Sequence, residues 1–331
     1  MTITDSPSAP AAPRARRRPS GDTERGASRV FRWITTGAGA LILGILGAVA
    51  AFLVVRAWPA IMSSPAQLAE DLPRYPGPDT QFIEFVGPLV FGTLLAAALA
   101  LLMATPVAMG IALFISHYAP RRMAQVLGYL VDLLAAIPSV VYGLWGVLVL
   151  APAVTPVWLG LNAWLGWFPL FAGDASATGR TLATAALVLA VMILPIITAV
   201  SREVFLQTPT LHEEAALALG ATRWEMVRTA VLPFGRSGVI SAAMLGLGRA
   251  LGETMAVLMI LSPGLLYSFK ILEAGQHNTI AAYIALDFPE ASGLAVNALI
   301  ATGLALFAIT LAVNMGARAI VARRKDFSGA N

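Results

Sequence analysis

Long stretches without a single charged residue constrain this chain more than any other feature. The first, residues 34–55, holds 22 consecutive uncharged residues, which as an α-helix would be about 33 Å long and would cross a bilayer. It is longer than the roughly 7 to 15 apolar residues of a cleaved signal peptide, so we expect an uncleaved first span. The sequence therefore predicts an all-α integral membrane protein with six transmembrane helices. The five further apolar stretches are residues 86–116, 124–150, 181–201, 237–261 and 293–316.

Composition agrees with a bilayer as the solvent of most of the chain. Charged residues make up 12% of the sequence and hydrophobic residues 58%, whereas soluble domains carry roughly 25% charge. We assign residues 31–322 to one transmembrane domain, between a disordered basic tail at residues 1–30 and a short tail at residues 323–331. The apolar residues 157–173 are expected to form an interfacial or re-entrant outer loop, because two full spans do not fit between residues 137 and 173.

The sequence also excludes several kinds of site. It has no cysteine, so disulfides, thiolate metal sites and cysteine nucleophiles are excluded. Its three histidines, His117, His212 and His277, are too far apart in sequence to predict a metal cluster. Neither lysine, Lys270 or Lys325, follows a glycine, so the phosphate-binding loop of P-loop ATPases is missing. We therefore expect a chain without catalytic residues, metal or bound cofactor, with ATP hydrolysis on another subunit.

Basic residues are distributed so that they predict an orientation. Segments on one side of the six predicted spans hold 17 of the 22 basic residues, among them both termini and residues 202–236. Because cytoplasmic segments of membrane proteins are enriched in Lys and Arg, both termini are predicted to be cytoplasmic. The net charge of +4 is not accompanied by a nucleic-acid-binding motif, so no nucleic-acid partner is expected.

The longest of these cytoplasmic segments, residues 202–236, has the pattern of two short helices. Capping-box spacing, a threonine followed three residues later by glutamate, occurs at residues 210–213 (TLHE) and again at residues 222–225 (TRWE). Gly220 lies between them and suits the end of the first helix, since helices often end on a glycine in the left-handed conformation. A bent pair of helices is therefore expected to project from the membrane.

The same segment contains residues 214–216 (EAA), followed after three residues by Gly220 and then by residues 232–233 (LP). This pattern resembles the cytoplasmic motif of ABC importer permeases, with Ala230 standing where that family commonly has isoleucine. The resemblance implies a type I importer permease whose coupling helix docks on a separate ATPase. The coupling residues that it implies are Glu214, Ala215, Ala216 and Gly220.

Two charged residues lie near the middle of the predicted fifth span. Arg249 and Glu253 are one helical turn apart and so share a face. An arginine at the centre of a span costs roughly 2.5–3.5 kcal/mol, so it normally faces a cavity or a charged partner. Either Arg249 contacts a passing oxyanion while Glu253 neutralises it in the empty path, or the two form a structural salt bridge. Asp132, near the cytoplasmic end of the third span, could gate the path or pair locally.

Small residues line two faces of the same predicted span. Because residues four apart lie on one face, small side chains at this spacing let two helices approach closely. We expect them to pack against a partner permease. The rows are Gly238, Ala242 and Gly246, and Gly248, Gly252 and Ala256.

Two stretches resemble the phosphate-specific permeases of ABC importers, the PstC family. They are residues 248–257 (GRALGETMAV) and residues 132–143 (DLLAAIPSVVYG). Permeases for sulfate and molybdate share the RALGE core but tend to continue with Phe-Gly, where this chain has Thr254 and Met255. The resemblance, which covers roughly residues 85–320, implies phosphate as the substrate. Together with the charge pattern it indicates a translocation pathway that includes Arg249, Glu253, Thr254 and Asp132.

The resemblance also implies the partners of the chain. These are a homologous permease similar to PstA, two copies of an ATP-binding ATPase similar to PstB, and an extracytoplasmic phosphate-binding protein similar to PstS. The complex would lie in the cytoplasmic (inner) membrane of a prokaryote, with spans two to six as the core and span one outside it. Two alternatives remain. One is a permease for another oxyanion such as sulfate or molybdate, and the other is a secondary transporter in which Asp132, Arg249 and Glu253 relay protons, although the hydropathy shows no inverted repeat.

Overall fold

The computed structural model describes residues 21–325, and the surroundings of side chains over residues 28–319. Within this part of the chain the secondary structure is helical, apart from one isolated β-bridge between Ala175 and Glu273. The α-helices, numbered in chain order, are α1 (Gly21–Met62), α2 (Pro65–Asp71), α3 (Phe82–Leu113), α4 (Arg121–Ala135), α5 (Ser139–Trp145), α6 (Ala151–Leu165), α7 (Leu182–Leu206), α8 (Thr210–Ala218), α9 (Arg223–Met226), α10 (Leu232–Leu251), α11 (Met255–Ile260), α12 (Ile280–Asp287) and α13 (Leu294–Lys325).

Six segments of the described chain are long and apolar enough to cross a membrane, which confirms the prediction of a six-span, all-helical membrane protein. By its internal contacts the chain divides into two units, Met1–Phe52 and Leu53–Asn331. The placement of the first span outside the bundle stays a prediction. The six segments are Ser28–Met62, Phe82–Tyr118, Ser139–Leu165, Leu182–Leu206, Arg223–Leu251 and Leu294–Ala319.

The third span lies later in the chain than the predicted residues 124–150. α4 ends before Pro138, and the crossing segment is Ser139–Leu165, formed by α5, a π-helical turn and α6. Pro138 explains the interruption, because it cannot donate a backbone hydrogen bond and disfavours helical geometry in the residue before it. The outer loop predicted at residues 157–173 is accordingly wrong over residues 157–165, which belong to α6.

Small residues hold α3, α7 and α10 together at the centre of the bundle. A Cβ atom on Gly238 of α10 would lie 2.4 Å from Val204 of α7, and one on Gly246 would lie 2.8 Å from Ile197. The row that contains these glycines therefore packs inside the chain, and the prediction that it meets a partner permease is wrong. Gly248, on the other row, is exposed and has open space where its Cβ would be, so that face of α10 is uncovered within the described chain.

The fifth span ends ten residues before the predicted residue 261. α9, a π-helical turn and α10 form one segment, Arg223–Leu251, and the helix is then interrupted from Gly252 to Thr254 before α11 begins. Glycine is a poor helix former, and here it forms the C-terminal cap of α10. The predicted coupling loop, residues 202–236, consequently overlaps this span from residue 223 onward.

The predicted tails are partly helical. Residues 1–20 and 326–331 lie outside the described residues, but α1 already begins at Gly21 and α13 continues to Lys325. Residues 21–30 are thus helical, contrary to the expected disorder. Arg, Glu and Ala have high helix propensity, so they can extend an apolar helix beyond the membrane.

Candidate coupling segment and translocation site

The segment after the fourth span forms the bent helix pair that the sequence predicts. Gly220 has a φ of +85°, and the N–H groups of Gly220 and Ala221 donate to the carbonyls of Leu217 and Ala216, at 3.0 and 3.2 Å. This is the double hydrogen bond of a Schellman motif, which ends α8 and turns the chain. The second capping box is present as well, because the Thr222 side chain accepts from the N–H of Glu225 while the glutamate accepts from Thr222.

The first capping box is absent. Pro209 occupies the N-cap position and makes no side-chain hydrogen bond, and Thr210 is the first residue of α8. Glu213 reaches instead toward the end of the second span, where its Oε1 lies 3.4 Å from Nε2 of His117. The spacing of Thr210 and Glu213 does not show whether the glutamate caps α8 or contacts another helix. Glutamate in the first turn of a helix is favourable in either case.

Most of α8 is uncovered. It has no buried residue, and Leu211, Leu217 and Leu219 are exposed, the last to 90%. Ala216 faces the opposite way and packs against the apolar cluster that includes Phe205 and Val227. Ala216 thus packs α8 against the bundle. The exposed leucines form an apolar surface, which is typical of an interaction site.

The interruption between α10 and α11 separates the two charges that the sequence placed on one helical face. Glu253 is 8% exposed, and its Oε1 accepts a hydrogen bond of 3.1 Å from the N–H of Ala256, the second residue of α11. Among the described residues no ion pair joins Glu253 to Arg249. Glu253 therefore caps the start of α11, and the described residues do not contain the structural salt bridge between Arg249 and Glu253 considered above.

Arg249 and Thr254 lie on either side of this interruption in exposed or partly exposed positions. The Arg249 side chain is exposed in the last turn of α10. Thr254 and Gly252 line a cavity of about 400 Å³, whose other walls come from α12, the residues that follow it, and α13. The structure thus places a cationic side chain before, and a hydroxyl after, the interruption that follows the fifth span.

Asp132 is not part of this arrangement. It is exposed on α4, before the Pro138 break, and so lies outside the segment that forms the third span. No hydrogen bond or ion pair in the described part of the chain connects it with Arg249. Residues 124–150 form one apolar stretch in the sequence, but α4 is amphipathic and buries only Gly128 and Val131.

Sequence reasoning missed the residue at the other end of α11. Arg180, in the loop before α7, donates from Nε and Nη2 to the carbonyls of Ile260 and Met259, both at 3.4 Å. A cation is favourable at a helix C-terminus, where carbonyl groups lack helical partners. Because α11 and Arg180 are 80 residues apart, no local pattern indicates this contact.

The segment that follows α11 folds back beside α3. The His277 ring is 1% exposed, stacks on Phe91, and donates from Nε2 to the carbonyl of Ser268 at 2.6 Å. Burial lowers the pKa of His277, so the ring is held neutral. Gly92 permits this approach, since a Cβ there would lie 2.2 Å from the carbonyl oxygen of Asn278.

Comparison with known proteins identifies the family. The family model described as "binding-protein-dependent transport system inner membrane component" matches residues 104–326. Phosphate transport system permease protein PstC 2 of Mycobacterium bovis is 48% identical over 303 residues, which are 89% of this chain and 92% of that protein. The chain belongs to the PstC family of inner membrane transport permeases. A PstC protein of Mesorhizobium japonicum is 37% identical over 91% of this chain and 92% of its own length.

Solved structures show the same fold. A bacterial ABC transporter involved in the import of the acidic polysaccharide alginate aligns with a TM-score of 0.52 and 18% identity, covering 88% of this chain and 98% of that chain. The segment matched by the family model includes both the coupling segment and the α10–α11 interruption. Both candidate sites of this PstC-family chain therefore lie within the part that defines the family.

Proposed function

We propose that the chain is the permease subunit of an ATP-driven phosphate importer in the inner membrane of a bacterium. The observation that carries the proposal is the exposed Arg249 in the last turn of α10, directly before the helix is interrupted at Gly252. A guanidinium group suits phosphate, because its planar fork of N–H donors matches two phosphate oxygens. The relatives named as phosphate transport permeases support the choice of anion.

The energy would come from a separate ATPase that docks on α8. Glu214, Ala215 and the exposed leucines of α8 form the docking surface, and Gly220 fixes the angle at which α8 leaves the bundle. A homologous permease, similar to PstA, would cover the open face of α10 at Gly248 and Arg249. Two ATPase copies similar to PstB and a phosphate-binding protein similar to PstS complete the complex, so ATP is bound by the partner and no cofactor by this chain.

The anion and the energy source can be tested together in proteoliposomes that contain the assembled complex, internal ATP and the external binding protein. We expect labelled phosphate to accumulate only with ATP, and excess unlabelled phosphate to abolish its uptake, whereas equal concentrations of sulfate or molybdate leave uptake unchanged. Competition by sulfate would favour the alternative oxyanion permease. Loss of uptake when an ionophore collapses the proton gradient, with ATP still present, would favour a secondary transporter.

The orientation can be tested because the chain has no cysteine of its own. Ala177, between α6 and α7, and His212, on α8, are both exposed. We expect Ala177→Cys to react with a membrane-impermeant maleimide in intact cells, and His212→Cys to react only after the membrane is permeabilised. The opposite pattern would show that α8 is outside and would exclude its role in docking an ATPase.

A further inference from the structure

The coupling helix α8 is connected to the second span by a polar contact. Glu213, in the first turn of α8, lies 3.4 Å from His117, which continues α3 in the π-helical turn Phe114–Tyr118. The side chains are 23% and 8% exposed, so the contact is shielded from bulk water. Partly buried polar contacts of this kind are screened less by salt than fully exposed ones.

The His117 ring is held from its other side as well. Its Nδ1 lies 2.7 Å from the hydroxyl of Ser116, and that hydroxyl lies 2.8 Å from the carbonyl of Ala112, one turn earlier in α3. A carboxylate only accepts hydrogen bonds, so Nε2 donates to Glu213. The ring therefore bridges the backbone of α3 and a side chain of α8, with both ends of the bridge fixed.

α3 connects the contact between His117 and Glu213 to the core of the bundle. Its buried alanines, among them Ala100 and Ala104, belong to the same core as Ile193 and Ile197 of α7 and Ala242 of α10. Close-packed interiors have low compressibility and transmit strain. A displacement at the end of α3 would therefore reach the residues of α7 and α10 that share this core.

We propose that His117 and Glu213 are positioning residues that transmit movement of α8 to α3, and so couple the ATPase to the substrate path. The proposal rests on the docking role of α8 given above and adds the internal connection that such a role requires. Ala216 seats α8 on the bundle through apolar contacts, which permit sliding. The hydrogen bond between Glu213 and His117 is directional and restricts such sliding.

The test uses the complete complex in proteoliposomes and measures the number of ATP molecules hydrolysed per phosphate imported. Glu213→Ala and His117→Ala each remove the contact between α8 and α3, and each should raise this ratio about threefold, the size expected for loss of one hydrogen bond. The double variant should be no worse than the poorer single variant, because the two residues act through the same contact. The phosphate concentration for half-maximal uptake should not change, since neither residue meets phosphate.

Three outcomes would overturn the inference: a parental ratio in both single variants, additive effects in the double variant, or loss of the ATPase from the purified complex. Glu70→Ala is the matched control, because Glu70 is an exposed acid on α2 that lines neither candidate site, and its loss should leave the ratio unchanged. If the parental complex itself neither retains an ATPase nor imports phosphate, the proposed function fails. If the parental complex imports phosphate and the variants have the parental ratio of ATP hydrolysed to phosphate imported, only the role of His117 and Glu213 is contradicted.

Discussion

Arg249→Gln should nearly abolish phosphate import while the complex still assembles and hydrolyses ATP. A hydrogen bond to a charged group is worth about 1.5–3 kcal/mol, which corresponds to roughly a 10- to 150-fold loss of transport rate. In the described chain Arg249 makes no ion pair, so its replacement leaves no buried carboxylate unpaired. A loss of import would therefore indicate a lost contact with phosphate. Uptake of labelled phosphate, ATP hydrolysis and co-purification of the partners are measured on the same preparation.

Three further variants make this prediction more specific. Arg249→Lys should import at an intermediate rate, because a lysine keeps the charge but loses the planar fork. Glu253→Gln should retain most of the activity, because its side-chain oxygen can still accept from the N–H of Ala256. Glu253→Leu removes the cap at a cost of about 0.5–2 kcal/mol and should impair import. Near-parental import by Arg249→Gln would show that Arg249 has no contact with phosphate.

Gly220→Val should separate the ATPase from the permease without affecting membrane insertion. The φ of +85° at Gly220 costs a residue with a side chain roughly 1–2 kcal/mol, and a β-branched residue more. A Cβ at this position would meet no atom within 4 Å, so the effect comes from backbone conformation and not from a clash. Relaxation of the turn would redirect α8 and lower recovery of the ATPase with the permease about 5- to 30-fold.

Gly220→Asn is the matched control for this prediction. Asparagine adopts the left-handed conformation more readily than other residues with a side chain, and the open space around Gly220 admits it. We expect this variant to retain the ATPase and to import phosphate. Equal losses in the valine and asparagine variants would mean that the side chain itself, and not the direction of α8, disturbs docking.

Residue patterns that act over short distances were sufficient for much of this molecule. Uncharged stretches long enough to cross a bilayer predict six spans, since the bilayer admits only backbone that satisfies its own hydrogen bonds. The Schellman turn at Gly220 and the capping box at Thr222 were likewise predicted, because both are formed by residues within a few positions of each other. The motif at residues 214–216 is equally local in the sequence, and its role in coupling stays a prediction.

The tertiary structure decided the rest. The hydropathy of residues 124–150 is high both before and after Pro138, so the sequence predicts one continuous span there. Only the structure shows that α4 ends before Pro138 and that Asp132 lies outside the third span. A spacing of four residues places Arg249 and Glu253 on one face only if the helix is continuous, and the break at Gly252 removes that condition. Whether a row of small residues meets its own chain or a partner depends on which helices are neighbours. The caps and contacts provided by Arg180 and His117 join residues 80 and 96 positions apart, and only folding brings such groups together.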